Sequence, residues 1–204
     1  MNLIDSPGHI EFSFEVSSGL RVCDAAFVLV DTVEGVLSQT YTVLKKSCEE
    51  GIQCILVLNK MDKLITDLDF SPQEAYHHIS QILDSTNAAL DSFLRSKIAE
   101  ETGSDDIDEN LLEEMENRML FNPCKGNVIF ASSLHGWGFT VSSFVDIFAT
   151  KLGAKPEVLN KTLYGNYYFD TKNKKIVTKP LNDNHRPMFV QFILQNIFTV
   201  YETI

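Results

Sequence analysis

The 204-residue sequence predicts an α/β fold with a mostly parallel sheet, and three observations carry that prediction. Residues 24–31 (DAAFVLVD), 54–58 (CILVL) and 127–131 (NVIFA) are short apolar runs of strand length, and the second reads as a strand buried on both faces. The stretches between them place apolar residues at three- and four-residue spacing, as amphipathic helices do. Parallel strands joined in this way require right-handed crossovers, and ligands in such sheets sit at the carboxyl ends of the strands. Asp5, Asn59 and Ser132 all fall at such ends.

Taken in order, the chain opens on a strand stub, Asn2-Leu3-Ile4, that runs into Asp5-Ser6-Pro7-Gly8-His9. Residues 9–18 read as a switch segment fastened to the core by Ile10 and Phe12. After the strand at 24–31, Glu34-Gly35 turns the chain into a helix over 39–50, with Gly51 as its C-terminal cap. Ser71-Pro72-Gln73-Glu74 is a capping box with proline in the first helical turn. Ile79, Ile82, Leu83, Leu90, Phe93, Leu94 and Ile98 then define one face of a long helix. His77 and His78 sit side by side on it and point in different directions, which suits packing or solvent rather than a shared metal. A second helix is expected near 109–120 through Leu112, Met115 and Met119. Residues 141–152 read as a helix with Phe144, Ile147 and Phe148 inward, ended by Gly153. Residues 164–179 alternate as a β-hairpin, and 188–204 is apolar at helical spacing through Phe189, Phe192, Ile193, Ile197 and Val200.

Three loops carry chemistry. Asp5 at a strand end is placed for Mg²⁺, the bare N–H of Gly8 for a γ-phosphate, and His9 for orienting water, with Ser6 and Pro7 shaping the turn. Taken alone, Asp-x-Pro-Gly-His is equally a surface turn. Asn59-Lys60-Met61-Asp62 shifts that balance. A carboxylate at Asp62 can accept two parallel hydrogen bonds from the N1–H and 2-amino group of guanine, a pair that adenine does not offer. Asn59 has an amide for the base edge or for a neighbouring loop, and the methylene stem of Lys60 can cover the ring. Ser132-Ser133-Leu134 offers backbone N–H groups to the base from the other side.

With these loops in this order, the chain resembles the guanine-nucleotide-binding domain of the translational GTPases. Residues 5–16 (DSPGHIEFSFEV), 31–39 (DTVEGVLSQ) and 133–137 (SLHGW) are similar to the elongation factor G / elongation factor 2 branch. Residues 70–78 (FSPQEAYHH) and 157–168 (EVLNKTLYGNYY) are closer to its elongation-factor-like relative, which acts in late cytoplasmic maturation of the large ribosomal subunit. The resemblance covers nearly the whole chain except the acidic stretch near 100–120. It implies GTP and Mg²⁺ as cofactors, with Asp5 reaching the ion through water and His9 as the catalytic residue. It also implies the large ribosomal subunit and its maturation factors as partners, release of an anti-association factor as output, a cytoplasmic location and a monomer. An elongation-factor-2-like translocase is the alternative within the family, and a non-catalytic piece that binds a ribosomal partner is the alternative outside it.

The same resemblance divides the chain. Residues 1–62 form a P-loop GTPase core without its N-terminal strands, 63–126 a helical, acidic insertion, and 127–152 the return to the core. Residues 153–187 form a hairpin-containing α+β insertion and 188–204 a C-terminal helix. No Gly-x-x-x-x-Gly-Lys-Ser/Thr occurs, and no glycine here is followed by lysine. In the family that phosphate loop precedes the position of Met1, so the sequence is expected to be an internal piece of a larger GTPase.

Composition fits this reading. A 44% hydrophobic fraction and 14 phenylalanines suit a packed core. The net charge of −11 argues against charge-driven, sequence-specific contact with nucleic acid. Nine of the acids lie between Glu100 and Glu116, as on a solvated helix face. No apolar stretch reaches the ~18–20 residues a membrane helix needs. Cys23, Cys48, Cys54 and Cys124 have no metal-ligand spacing and read as reduced thiols.

Overall fold

The computed structural model describes residues 2–6, 13–103, 109–182 and 184–203. Its centre is a four-stranded sheet, β1 (Ala25–Asp31), β2 (Gln53–Asn59), β3 (Val128–Ser132) and β4 (Trp137–Phe139), in that spatial order. The first three strands are parallel, with Val28 beside Leu56 and Leu58 beside Phe130. β4 turns back antiparallel, setting Phe139 beside Phe130. The α/β, mostly parallel sheet expected from the sequence is therefore present.

Chain order equals spatial order across β1, β2 and β3, and this has a consequence. Right-handed crossovers that step in one direction stack their helices on one face of the sheet. Accordingly α2 (Ser38–Glu49) and α4 (Pro72–Thr102) both contribute to the core with Val28, Val30, Cys54, Leu56, Leu58, Val128 and Phe130. The intervening side chains are less covered. Ile55, Val57 and Ile129 are half-buried, and Phe27 and Leu29 on β1 stand 48% and 62% exposed. β2 is thus buried on one face only, which corrects the expectation of burial on both.

The helix signals are largely met. Gly51 follows α2 at φ +69°, a conformation that glycine adopts without strain. Lys97 on α4 donates to the carbonyls of Cys48 and Glu49 at 2.8 and 3.0 Å, placing a cation at the carboxyl end of α2. The capping box of Ser71 and Glu74 is formed in both directions. From it α4 runs 31 residues, its first half packed in the main core. Its second half builds a smaller cluster with α5 (Glu109–Met119) through Leu94, Ile98, Leu112 and Met119. His78 proves to be a packing residue, with its ring edge on Phe70 and its Nε2–H donating to the Thr32 carbonyl at 2.7 Å.

Other expectations are corrected. Residues 2–4 form no strand, and Leu3 and Ile4 are exposed. Among the described residues nothing pairs with them, and a three-residue stub without a neighbour leaves its backbone to water. The switch segment is helical from Ser13 to Leu20 (α1), and Phe14 is 80% exposed. Ile10 and Phe12 lie outside the described residues. Residues 141–152 open with a 3₁₀ turn, Val141–Phe144, before α6 (Val145–Leu152). Its buried side holds Val145 and Phe148, with Phe144 packed on the same core, and leaves Ile147 outside. The hairpin is present as β5 (Tyr168–Asp170) and β6 (Lys175–Val177), preceded by the unforeseen α7 (Pro156–Thr162). The last helical run begins with a π segment, Val190–Leu194, and continues as α8 (Gln195–Glu202), where Val200 is exposed. All four cysteines are free. No helix among the described residues is long and apolar enough to cross a membrane.

Candidate functional site

The carboxyl ends of β1, β2 and β3 converge in one network. Register aligns Asp31 with Asn59, and β3 delivers Ser132 beside them. The Asn59 Oδ1 accepts from both the N–H and the hydroxyl of Ser133, at 3.0 and 2.9 Å. Of the two uses the sequence left open for this amide, its oxygen serves the neighbouring loop. Its NH₂ makes no hydrogen bond to the described residues and stays available to an acceptor. Ser132 is buried, and its hydroxyl accepts from the His135 N–H at 3.2 Å. Of the three N–H groups offered by Ser132, Ser133 and Leu134, that of Ser133 is taken, whereas Leu134 stands exposed at the rim.

Lys60 occupies left-handed backbone at φ +65°, which is uncommon for a residue with a Cβ. The neighbouring loop holds it there. Thr32, fully buried, donates its N–H to the Asn59 carbonyl and its hydroxyl to the Lys60 carbonyl, each at 3.0 Å. The Met61 N–H donates to the Ala131 carbonyl at 3.1 Å, tying the loop to β3. The Lys60 ammonium pairs with Asp31 at 2.5 Å. Burial pushes the Asp31 carboxyl up, but Lys60 and the Val33 N–H outweigh it and hold the group below the usual carboxylate range.

Asp62 follows from this strained turn. It is only 2% exposed, and its Oδ1 has no hydrogen-bond partner among the described residues. Aspartate at this position would ordinarily cap the helix that begins after it, α3 (Lys63–Thr66). Here the side chain makes no capping hydrogen bond. A buried acceptor left unpaired costs about 1–3 kcal/mol, so its retention points to a ligand that supplies donors. The donor pair of guanine, N1–H and the 2-amino group, fits a carboxylate in that position.

The remaining predicted residues are placed less fully. Asp5 and Ser6 are exposed and in no regular structure, while Pro7, Gly8 and His9 lie outside the described residues. Among the described residues no three His, Cys, Asp or Glu side chains gather as a metal site. The described residues therefore fit the base and do not by themselves build a Mg²⁺ cage. Sequence reasoning gave no role in the site to Asp31 or Thr32, and gave His78 only a packing one. The first two sit at the end of β1, the position that singled out Asn59 and Ser132, and the same rule would have found them.

Comparison with known proteins gives the family. The family described as elongation factor Tu GTP binding domain matches residues 1–195. Elongation factor-like GTPase 1 of Mus musculus is 42% identical over 221 residues, covering 100% of this chain and 20% of that protein. Ribosome assembly protein 1 of Saccharomyces cerevisiae is 47% identical over 216 residues, covering 100% and 19%. The Schizosaccharomyces pombe protein of the same name is 45% identical over 205 residues, covering 100% and 20%. The chain spans about a fifth of the length of these curated relatives.

Proposed function

Because the chain belongs to the elongation factor Tu GTP binding domain family, we propose that it reads the guanine of GTP for a ribosome-associated GTPase acting in cytoplasmic maturation of the large subunit. The single observation that carries the base-reading part is the buried, unpartnered Oδ1 of Asp62. Opposite it, the Asn59 NH₂ donates toward the base while its oxygen braces the Ser133 loop. Lys60, held left-handed, lays its stem alongside the ring, and Leu134 closes the far side. The names of the relatives support the cellular part, since two of them are called ribosome assembly proteins. Hydrolysis in this proposal belongs to His9, which orients the attacking water once a ribosomal partner seats it. Gly8 senses the γ-phosphate. Mg²⁺ enters as the ion that accompanies the triphosphate, met by Asp5 through water. Release of an anti-association factor from the large subunit is the output, and the protein acts as a monomer.

Titration of full-length protein and its Asp62→Asn variant with GTP and xanthosine triphosphate tests the reading. An amide matches the 2-oxo group of xanthine and loses the paired guanine donors. GTP affinity should fall by roughly 10²–10⁴ while xanthosine triphosphate becomes the preferred ligand. Unchanged GTP affinity in the variant would make residues 59–62 an ordinary loop.

A further inference from the structure

The loop that braces Asn59 is itself braced from a distant part of the chain. Ser132 to Gly136 forms a tight turn, with Gly136 at φ +66° and the His135 N–H closed onto the Ser132 hydroxyl. Beyond it the indole Nε1 of Trp137 donates to the phenol oxygen of Tyr201, on α8, at 2.9 Å. Indole can only donate, so the phenol oxygen accepts and its own hydrogen remains. His135 Nδ1 lies 2.6 Å from the same oxygen and accepts that hydrogen in the tautomer protonated on Nε2. The two rings also pack at 5.3 Å between centroids. One hydroxyl thus joins the far end of the turn, at His135 and Trp137, to a helix more than sixty residues away in sequence.

α8 is placed to do this by the wide turn before it. In the π segment the Gln195 N–H reaches the Val190 carbonyl, one residue further back than in an α-helix. An inserted residue rotates everything after it by about 100°, and the buried Phe198 anchors the helix in that setting.

We infer that Tyr201 is a positioning residue for the guanine-supporting loop, setting how long a guanine nucleotide stays bound without touching it. The inference rests on the guanine reading proposed above. The line of contacts runs from Tyr201 to His135, from His135 to Ser132, and from adjacent Ser133 to Asn59. It predicts an effect on base retention with none on the chemistry at the γ-phosphate.

The test compares full-length wild type with Tyr201→Phe, which removes one hydroxyl and keeps the ring. Release of a fluorescent guanosine diphosphate is followed by stopped flow, and GTP hydrolysis is measured in single turnover at saturating GTP. Loss of the shared hydroxyl, with its two hydrogen bonds, should speed release roughly three- to tenfold, and raise Kd by the same factor, with the hydrolytic rate constant unchanged. His135→Ala approaches the link from the loop and should act in the same direction, so a failure of Tyr201→Phe to fold leaves the question decidable. The double variant should be no worse than the more severe single one, because both cut one path. A lowered Tm with release unchanged in Tyr201→Phe makes the residue merely structural and overturns the inference, as do fully additive effects. Wild type that binds no guanine nucleotide overturns both readings, whereas wild type that binds normally beside an unaltered Tyr201→Phe removes this one alone.

Discussion

The two ends of the described chain's business are built in opposite ways. Where β2 and β3 end, the loops are bonded across to neighbouring strand ends and loops: Asn59 to Ser133, Lys60 to Thr32 and Asp31, Met61 to Ala131. Around β1 and the amino-terminal residues 2–6, apolar side chains meet water instead, among them Leu3, Ile4, Phe27 and Leu29. β1 pairs with β2 alone among the described strands. The contrast teaches that the loops proposed to read the base are held ready by the fold, because hydrogen bonds across strand ends fix them before any ligand arrives. The segment proposed to sense the γ-phosphate has no such bracing between Asp5 or Ser6 and the other described residues.

The largest effect that would sharpen this contrast is on rate. His9→Ala in the full-length protein should lower ribosome-stimulated hydrolysis by ~10²–10⁴ while GTP affinity stays within a few fold. Single-turnover hydrolysis with and without large subunits measures it. Equal stimulated rates would remove His9 from the mechanism, and a large loss of binding would move it into the base-reading end.

Stability offers a second cut. Leu56 is fully buried at the centre of the sheet, and Leu56→Ala should cost about 2–5 kcal/mol. Leu29 stands on the uncovered face of β1, and Leu29→Ala should stay within about 0.5 kcal/mol. Urea denaturation of both variants decides this. Comparable losses would show that the face of β1 is covered in solution and break the contrast.

The smallest effect is a pH dependence. Asp31 titrates below its ordinary value in the folded chain. A depressed folded pKa adds stability above the unfolded value of about 4, and that stability is lost as pH falls through the folded value. Asp31→Asn should therefore be less stable than wild type at pH 7, with the gap closing in acid. A gap that does not change with pH would detach Asp31 from the Lys60 turn.

Much of this was legible from residue order. Apolar runs ending in Asn59 and Ser132, and the Ser71 capping box, depend on local chemistry, and local chemistry is written in neighbouring residues. Face coverage was not legible. CILVL looks equally apolar on both sides, and only the same-handed stacking of α2 and α4 decides that Ile55 and Val57 remain half-covered. Asp62 was legible as a candidate base reader, but its unpaired oxygen was not, since aspartate before a helix normally caps it. Tyr201 was hidden for another reason. Its partners lie 64 and 66 positions away, and a π turn sets its direction.

The length of α4 has an electrostatic consequence. From His78, which touches the loop after β1, to Glu101 near its far end, the helix rises about 35 Å at 1.5 Å per residue. At physiological ionic strength the Debye length is about 8 Å. Glu100 and Glu101 are therefore held some four screening lengths from the strand ends, where their field has died away. Those two acids of a chain of net charge −11 are thus kept clear of the strand ends proposed to receive a triphosphate, because a rigid rod holds them away.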